Sequence, residues 1–263
     1  MIDLHCHVLP GIDDGPATTQ DAVAIARAAV AAGTRTMVAT PHVSWEWPDN
    51  DAASIAAGVE RLTATLRAEG LDLEIRAGAE VALTRAGDLD DEELRALRLG
   101  GGPYLLVECP FTQSASGFET PLFSLTARGH QIVLAHPERC AGFHRDPEVL
   151  GRLVSGGMLA SITAGSLAGR FGETVRKIAW DMLRQGLVHN VASDAHSELR
   201  RPPGMAAELA EAGLGEHADW LTRAVPQAII DGEQIPPRPS AVLPRPPGGN
   251  RRGSGIGRFF RRA

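Results

Sequence analysis

The chain has 263 residues, a net charge of −6 and three cysteines, which favours one large α/β domain in a reducing compartment. A domain of that length buries roughly three-quarters of its unfolded surface, so it needs neither disulfides nor a metal merely to fold. Residues 1–235 carry 19 basic against 32 acidic side chains, because seven of the 26 arginines and lysines lie in residues 236–263. Such an acidic body is a poor partner for nucleic acid.

The first strand is predicted at the very start of the chain, without the basic and apolar regions of a signal peptide. No apolar run reaches the length that spans a bilayer. From these two observations we expect a cytoplasmic protein.

Predicted strands and helices alternate along the chain. Seven apolar runs predict strands at residues 2–4, 36–39, 73–75, 104–107, 132–135, 158–162 and 188–192. Helical patterns, most of them closed by glycine, cover residues 18–32, 51–69, 89–97, 119–128, 146–154, 173–185, 205–212 and 217–230. This alternation implies parallel strands with right-handed crossovers. The expected fold is an α/β barrel over residues 1–235, distorted from the usual eight strand–helix units to (β/α)7.

Residues 236–263 are rich in proline, glycine and arginine and show no periodicity, so they predict a disordered tail. Residues 256–262 combine three arginines with two phenylalanines, in the order Ile-Gly-Arg-Phe-Phe-Arg-Arg. A solvated tail is the simpler interpretation. Weak contact with anionic lipid or an acidic partner is the alternative.

Six of the seven predicted strands run directly into histidine, aspartate or glutamate. Barrels of this kind perform their chemistry where the carboxyl ends of the strands converge. The candidate ligands at these ends are His5, His7, His42, Glu80, Glu108, His136, Asp194 and His196. The turn after His7 adds Asp14, which we prefer to Asp13 because Asp13 better suits support of the turn.

These five histidines and four carboxylates predict a site for two or three divalent ions. Taken singly, each has a simpler explanation, such as a surface histidine or a carboxylate paired with arginine. Imidazole and carboxylate ligands without thiolate favour manganese, iron or zinc over calcium or copper(I). Three divalent ions exceed four carboxylates by two positive charges, which suits a phosphate dianion. The pattern therefore predicts a phosphoester substrate.

Several motifs together resemble a known superfamily. They are His-Cys-His-x-x-Pro-Gly-Ile-Asp-Asp-Gly at residues 5–15, Ala-Thr-Pro-His at 39–42, Gly-Ala-Glu at 78–80, Leu-x-Glu at 106–108, Ala-His-Pro-Glu-Arg at 135–139 and Ala-Ser-Asp-Ala-His at 192–196. The chain is similar over about residues 1–230 to the PHP (polymerase and histidinol phosphatase) superfamily. Within it, the chain resembles the bacterial protein-tyrosine phosphatases of capsule and exopolysaccharide clusters.

The resemblance implies a distorted (β/α)7 TIM-like barrel with a trinuclear site that usually takes manganese. It implies three ligand groups: His5, His7, Glu80 and Asp194; Glu80, Glu108 and His136; and Asp14, His42 and His196. It also implicates Arg139 and Arg201 in catalysis, with the adjacent Arg200 as an alternative to Arg201. The chain departs from the family pattern at Val43 and Cys140, in loops expected to meet the substrate.

The function implied is metal-dependent hydrolysis of phosphotyrosine on a protein, such as an exopolysaccharide-regulating tyrosine kinase. Four aromatic residues are candidates to pack the phenyl ring: Trp45, Trp47, Phe111 and Phe118. A cysteine nucleophile is disfavoured because no cysteine is followed by five residues and then arginine.

Three alternatives remain open. The first is a small-molecule phosphatase acting on histidinol phosphate or a sugar phosphate. The second is an amidohydrolase, which the lack of a barrel-lining lysine disfavours, since Lys177 lies in a predicted helix. The third is a regulatory protein that binds a tyrosine kinase through a vestigial site.

Overall fold

The computed structural model of the chain describes residues 1–244. Within that range nine strands pair in parallel throughout. The strands are β1 (Ile2–Cys6), β2 (Thr36–Ala39), β3 (His42–Val43), β4 (Glu74–Ala77), β5 (Glu80–Ala82), β6 (Tyr104–Glu108), β7 (Gln131–Ala135), β8 (Leu159–Thr163) and β9 (Asn190–Ala192).

The nine strands occupy seven positions of a barrel, because β3 continues β2 and β5 continues β4. Pro41, which has no N–H to donate, separates the first pair, and Gly78 lies between the second. A Cβ at Gly78 would lie 2.7 Å from a methyl group of Val38, so only glycine permits this approach of the two strands. The ordered runs β1-β2-β4 and β3-β5-β6-β7-β8-β9 close into a ring through a parallel bridge between Cys6 and Ala195. The prediction of a distorted (β/α)7 TIM-like barrel is thus confirmed.

Twelve α-helices of the described residues pack around or beyond the strands. They are α1 (Thr19–Ala31), α2 (Ala52–Ala68), α3 (Leu83–Ala86), α4 (Asp91–Ala96), α5 (Glu119–Ala127), α6 (Ala141–Arg145), α7 (Pro147–Ser155), α8 (Ala164–Leu167), α9 (Glu173–Arg184), α10 (Ala206–Glu211), α11 (Gly215–Asp219) and α12 (Val225–Asp231). A π-helical turn, Trp220–Ala224, joins the last two. Capping boxes begin α1 at Thr18, α2 at Asp51 and α4 at Asp90, where side chains satisfy otherwise unpaired N–H groups.

The core lies between the strands and the helices that cover them. All residues of β1 and β8 are buried, and Leu105 and Leu106 of β6 have no exposed surface. Trp180 of α9 is also fully buried. Each such apolar side chain contributes roughly 1.5–3 kcal/mol on burial, so the strand ends project from a well-packed frame.

The first part of the predicted tail lies against the barrel. The Trp220 indole donates to the carbonyl of Pro236 over 3.0 Å, and His217 Nε2 lies 3.1 Å from the carbonyl of Ala241. Arg238 stacks on the Trp220 ring at 5.5 Å. Residues 236–244 therefore contact the barrel through these groups, and disorder of the tail stays a prediction. The rest of the predicted tail, including residues 256–262, lies outside the described residues.

Residues 1–244 contain no helix that combines the length and the apolar character needed to cross a membrane.

Candidate metal centre

All nine side chains predicted as ligands lie at the carboxyl ends of the barrel strands, and most are buried. Asp14 lies in the loop after β1. His42 and Glu80 follow β2 and β4 and are the first residues of β3 and β5. The other six lie at or after the ends of β1, β6, β7 and β9. Parallel strands bring their carboxyl ends to one rim, which is why residues up to 191 positions apart in sequence meet here.

Glu80 is the centre of the cluster and is 1% exposed. Its Oε2 lies 3.2 Å from His5 Nε2, 3.3 Å from His7 Nε2 and 3.2 Å from His42 Nδ1. Its Oε1 lies 2.8 Å from His136 Nε2. Despite these approaches, neither oxygen has a hydrogen bond of acceptable geometry within the described residues. Four imidazoles therefore surround a buried carboxylate without being aligned to donate to it.

Asp194 completes the group that contains His5 and His7. Its Oδ1 lies 3.5 Å from His5 Nε2 and 3.7 Å from His7 Nε2. The two histidine nitrogens are 3.3 Å apart. Metal–ligand bonds of about 2.0–2.2 Å place neighbouring ligand atoms of one ion roughly 2.9–3.6 Å apart. The His5–His7 and His5–Asp194 distances fall in this range and the His7–Asp194 distance is 0.1 Å above it, so the three atoms are spaced closely enough to approach one ion.

A second group is built around Asp14. Its Oδ1 lies 3.1 Å from His196 Nε2 and 3.5 Å from His42 Nε2. His7 Nδ1 lies 3.8 Å from the same oxygen. The Asp14 side chain is half-exposed, so this group faces solvent at the mouth of the barrel.

His136 contacts the other oxygen of Glu80, and Glu108 lies beside His136. His136 Nε2 lies 3.6 Å from Glu108 Oε1, and the His136 ring stacks on His5 with centroids 5.4 Å apart. Three sets of donor atoms are close enough to share an ion: His7, Asp14, His42 and His196; His5, His7 and Glu80; and His42, Glu80 and Glu108. These sets contain seven of the nine predicted ligands; Asp194 and His136 are in none of them, and His7, His42 and Glu80 each belong to two.

Opposing effects set the charge of the cluster. Burial lowers the pKa of His7, but the hydrogen bond to Asp13 and the nearby negative charge of Glu80 outweigh it and raise that pKa to about 10. Burial and the neighbouring Glu80 raise the pKa of Glu108 to about 7. The pKa values of His42 and His196 are lowered, with burial as the largest cause. The neighbouring carboxylates thus favour the charged form of His7, and they would favour a bound cation in the same way.

Two members of the cluster have strained backbones. Within residues 1–244, His136 (φ 28°) and Asp194 (φ 51°) are the non-glycine residues with positive φ. Such conformations cost about 1–3 kcal/mol each and persist where the surrounding structure enforces them, often at functional sites. Here Pro137 follows His136, and two arginines hold Asp194.

Asp13 supports the cluster from outside it. Its Oδ2 lies 2.6 Å from His7 Nδ1 and accepts from the backbone N–H of His42 over 3.1 Å. Its Oδ1 accepts from the N–H of Gly15 over 2.9 Å. The sequence predicted support of the turn for Asp13, and the contacts add orientation of His7.

Sequence reasoning assigned no role to Asp3, which is fully buried below the cluster. It accepts from the N–H of Ser193 over 3.0 Å and from its hydroxyl over 2.5 Å, and so joins β1 to the end of β9. Glu138, also fully buried, accepts from the Thr163 N–H and the Ser166 hydroxyl. A carboxylate inside an apolar strand is the signal that could have revealed Asp3.

Both predicted arginines contact the same oxygen. Arg139 Nη1 donates to Asp194 Oδ2 over 2.6 Å, and Arg201 Nη2 donates to it in a short contact. Arg200 is exposed, and its backbone N–H bonds to Ser197. The geometry therefore favours Arg201 over Arg200 as the second arginine at the rim.

Of the four aromatic candidates, Phe111 lies beside the cluster. It is 53% exposed, and its ring stacks on His136 with centroids 5.7 Å apart and planes within 15°. Arg139 lies over Phe111 at 5.6 Å and over Phe171, which the sequence did not single out, at 4.6 Å. Phe118 is buried in the core, so it does not suit a substrate ring.

Trp45 and Trp47, the other two aromatic candidates, make contacts with residues outside the histidine cluster. The Trp45 indole donates to the carbonyl of Thr84, and the Arg85 guanidinium lies over its ring at 4.6 Å. The backbone N–H of Trp47 bonds to Ser44 within the same loop. His144, near Arg139 in sequence, has its Nε2 2.6 Å from the carbonyl of Glu138.

The chain is similar to known proteins over nearly all of the described residues. A family model described as "Capsular polysaccharide synthesis, CpsB/CapC" matches residues 1–227. Tyrosine-protein phosphatase YwqE of Bacillus subtilis is 36% identical over 91% of this chain and 96% of its own. The putative tyrosine-protein phosphatase CapC of Staphylococcus aureus is 32% identical over 77% of this chain and 79% of its own.

A solved structure of related proteins has the same fold and a similar sequence identity. It comes from work on YwqE of Bacillus subtilis and CpsB of Streptococcus pneumoniae, described as unique metal-dependent tyrosine phosphatases. It superposes with a TM-score of 0.79 and 31% identity, covering 92% of this chain and all of that one. The chain belongs to the CpsB/CapC family of capsular polysaccharide synthesis, the PHP-type group that its motifs resemble.

Proposed function

We propose that the protein is a metal-dependent phosphomonoester hydrolase that acts on phosphotyrosine in a protein. One observation carries this proposal: four imidazoles surround the buried Glu80, at spacings suited to shared ions, with two arginines alongside. The related proteins YwqE and CpsB are named tyrosine-protein phosphatases, which agrees with it.

The proposed ligands are the nine side chains of the cluster: His5, His7, Asp14, His42, Glu80, Glu108, His136, Asp194 and His196. Their donor set of nitrogen and carboxylate oxygen, with no thiolate, supports two or three divalent ions and manganese, with iron and zinc as alternatives. Such ions would supply Lewis-acid stabilisation of developing negative charge and a lowered pKa for water.

Arg139 and Arg201 would bind the phosphoryl oxygens. Each guanidinium presents several N–H donors, and each uses one of them on Asp194 Oδ2. Arginine suits this role because its planar fork can donate two parallel bonds to an oxyanion. The aromatic rings of Phe111 and Phe171 limit the directions in which Arg139 can turn.

Phosphotyrosine suits this site better than phosphoserine, because the two have different leaving groups. A phenol with a pKa of about 10 leaves without strong protonation, whereas an alcohol needs a proton donor. The exposed face of Phe111, next to His136 and Arg139, offers a surface on which a phenyl ring can pack. Hydrolysis of an aryl phosphate on a protein surface therefore suits this rim.

The proposed physiological substrate is a cytoplasmic phosphotyrosine protein, such as a cognate bacterial tyrosine kinase involved in capsule or exopolysaccharide synthesis. The CpsB/CapC family description supports the connection to capsular polysaccharide. The alternative function, which the test must exclude, is that of a small-molecule phosphatase acting on histidinol phosphate or a sugar phosphate.

The test compares hydrolysis of a phosphotyrosine peptide and of histidinol phosphate by the wild type and His136→Ala. Each is assayed as purified, after chelation, and after manganese is added back. We expect peptide hydrolysis by the wild type to disappear on chelation and to return with manganese, and His136→Ala to remain inactive. His189→Gln, a histidine substitution outside the cluster, should behave as wild type.

Full activity after chelation, with elemental analysis showing that the metals had left, would overturn the metal mechanism. Faster turnover of histidinol phosphate than of the peptide would instead assign the small-molecule reading.

A further inference from the structure

A small cavity lies on the far side of Asp194 from the histidine cluster. Its volume is about 70 Å³, well above the roughly 10–15 Å³ that one water requires. Among the described residues its lining includes Asp194 and none of the five clustered histidines. It is therefore distinct from the proposed metal centre, although it shares Asp194 and Arg201 with that centre.

Three residues that line this cavity have buried polar atoms without a hydrogen-bond partner in residues 1–244. They are the hydroxyl of Thr163, Nε of Arg201 and Oε2 of Glu208. Thr163 and Glu208 are 3% and 5% exposed. Unpaired buried groups are destabilising, so a cavity lined by three of them indicates a polar occupant.

Arg170 adds a further cation at this cavity. Its Nη2 donates to Glu208 Oε1 over 2.8 Å, and its guanidinium remains half-exposed. Gly165 makes this arrangement possible, because a Cβ there would lie 2.9 Å from Arg170 Cδ. The bond also fixes the rotamer of Glu208, which leaves Oε2 as the unpaired oxygen.

The unpaired atoms comprise two donors and one acceptor. Arg201 Nε–H and the Thr163 hydroxyl can each donate to an oxyanion, whereas Glu208 Oε2 can only accept. Three arginines (Arg170, Arg200 and Arg201) face two carboxylates (Asp194 and Glu208) around the lining, which leaves a net positive charge. An occupant that accepts several hydrogen bonds and donates one matches this set.

We propose that the cavity is a binding site for inorganic hydrogen phosphate, HPO₄²⁻, next to the metal centre. The P–OH group donates to Glu208 Oε2, and the other oxygens accept from Arg201 and Thr163. Sulfate, which has no proton at neutral pH, would place an unprotonated oxygen against that carboxylate. The inference rests on the proposed phosphatase function, because phosphate is then the product and the cavity receives it as it leaves the rim.

Phosphate binding is tested first on the full chain after chelation, by calorimetric titration with phosphate and, separately, with sulfate. Removal of metals keeps the histidine cluster from attracting phosphate. We expect wild type to bind phosphate at least tenfold more tightly than sulfate. Arg170→Met should weaken phosphate binding about tenfold, and Arg27→Met, an exposed arginine paired with Glu69, should leave it unchanged.

Glu208→Gln tests directly whether the carboxylate discriminates between phosphate and sulfate. Arg170 should hold the amide oxygen, which places the amide nitrogen, a donor, where Oε2 was. We expect this variant to bind sulfate and phosphate with similar affinity. Circular dichroism melts of each variant separate a folding defect from a binding defect.

In the metal-loaded enzyme, phosphate should lower kcat at saturating phosphotyrosine peptide, and Arg170→Met should remove that component of inhibition. Equal affinities for phosphate in wild type and Arg170→Met, or equal affinities of wild type for sulfate and phosphate, would overturn the proposal. Failure of the proposed function would instead appear as lack of peptide hydrolysis, with phosphate binding by the chelated chain unaffected.

Discussion

Replacement of Asp13 by asparagine should weaken manganese binding more than it destabilises the fold. Asp13 Oδ2 lies 2.6 Å from His7 Nδ1 and also accepts from the His42 backbone. A carboxylate at Nδ1 keeps the proton on that nitrogen, so the lone pair of Nε2 is free for a metal. His7 Nε2 is the atom that faces Glu80 and Asp194.

The expected size follows from these contacts. Loss of such a carboxylate–histidine contact lowers metal affinity about 10–100-fold, or roughly 1.4–2.7 kcal/mol. Asp13→Asn should fall toward the upper part of that range, because one side chain holds both His7 and the backbone of His42. The side chain of Asp13 is fully buried, so water does not replace the lost contact.

Manganese affinity is measured by competition with a fluorescent chelator, and urea unfolding of the chelated protein measures the fold separately. Asp21→Asn is the matched control, because Asp21 caps α1 through Thr18 and does not contact the cluster. The control should lose about 0.5–1 kcal/mol of unfolding free energy with manganese affinity unchanged. A manganese affinity of Asp13→Asn within twofold of wild type would refute the reasoning.

Three further changes give separate readouts. Arg139→Lys should lower kcat/KM for a phosphotyrosine peptide at least tenfold, because a point charge cannot replace the fork that contacts Asp194; an unchanged value would remove Arg139 from the proposed site. Phe111→Leu should lower kcat/KM for the same peptide about 2–10-fold but leave hydrolysis of an alkyl phosphate unchanged, and equal losses on both substrates would contradict ring packing. Burial and Arg238 lower the pKa of His189 to about 4, below its value of about 6.5 in the unfolded chain. Between about pH 6.5 and pH 4 the native state therefore binds fewer protons than the unfolded state, and the stability of the fold decreases as the pH is lowered. Urea unfolding across this window should show wild type losing about 3 kcal/mol more than His189→Gln, and parallel curves would contradict the assignment.

The sequence predicted the barrel and the rim residues because both follow from local patterns. Apolar runs of strand length ending in histidine or carboxylate are visible without any tertiary information, and parallel strands place those ends together. Seven of the eight predicted helices are present with boundaries shifted by a residue or two, since glycines and capping residues mark their ends. The eighth, predicted at residues 217–230, is divided into α11, a π-helical turn and α12.

What the sequence did not reveal depends on contacts between distant segments. Asp3 is paired with Ser193, which lies 190 residues later, so no local pattern marks it. The cavity at Glu208 arises where the loop carrying Arg170 meets the end of β9, and only the fold brings them together. The contacts of residues 236–244 were not predicted. Their composition and lack of periodicity indicate disorder, and neither property reveals that the carbonyl of Pro236 accepts a hydrogen bond from Trp220.

The ring of strands closes at one narrow join, where β1 meets the end of β9 through the Cys6–Ala195 bridge and the backbone bonds of His5 and His7. His5 and His7 lie on one side of this join, and Asp194 and His196 lie on the other. An ion shared between the two sides would link residues 5–7 to residues 194–196 across the join at which the barrel closes. Metal loading should then slow global unfolding, and the centre can assemble only after almost the whole domain has been synthesised.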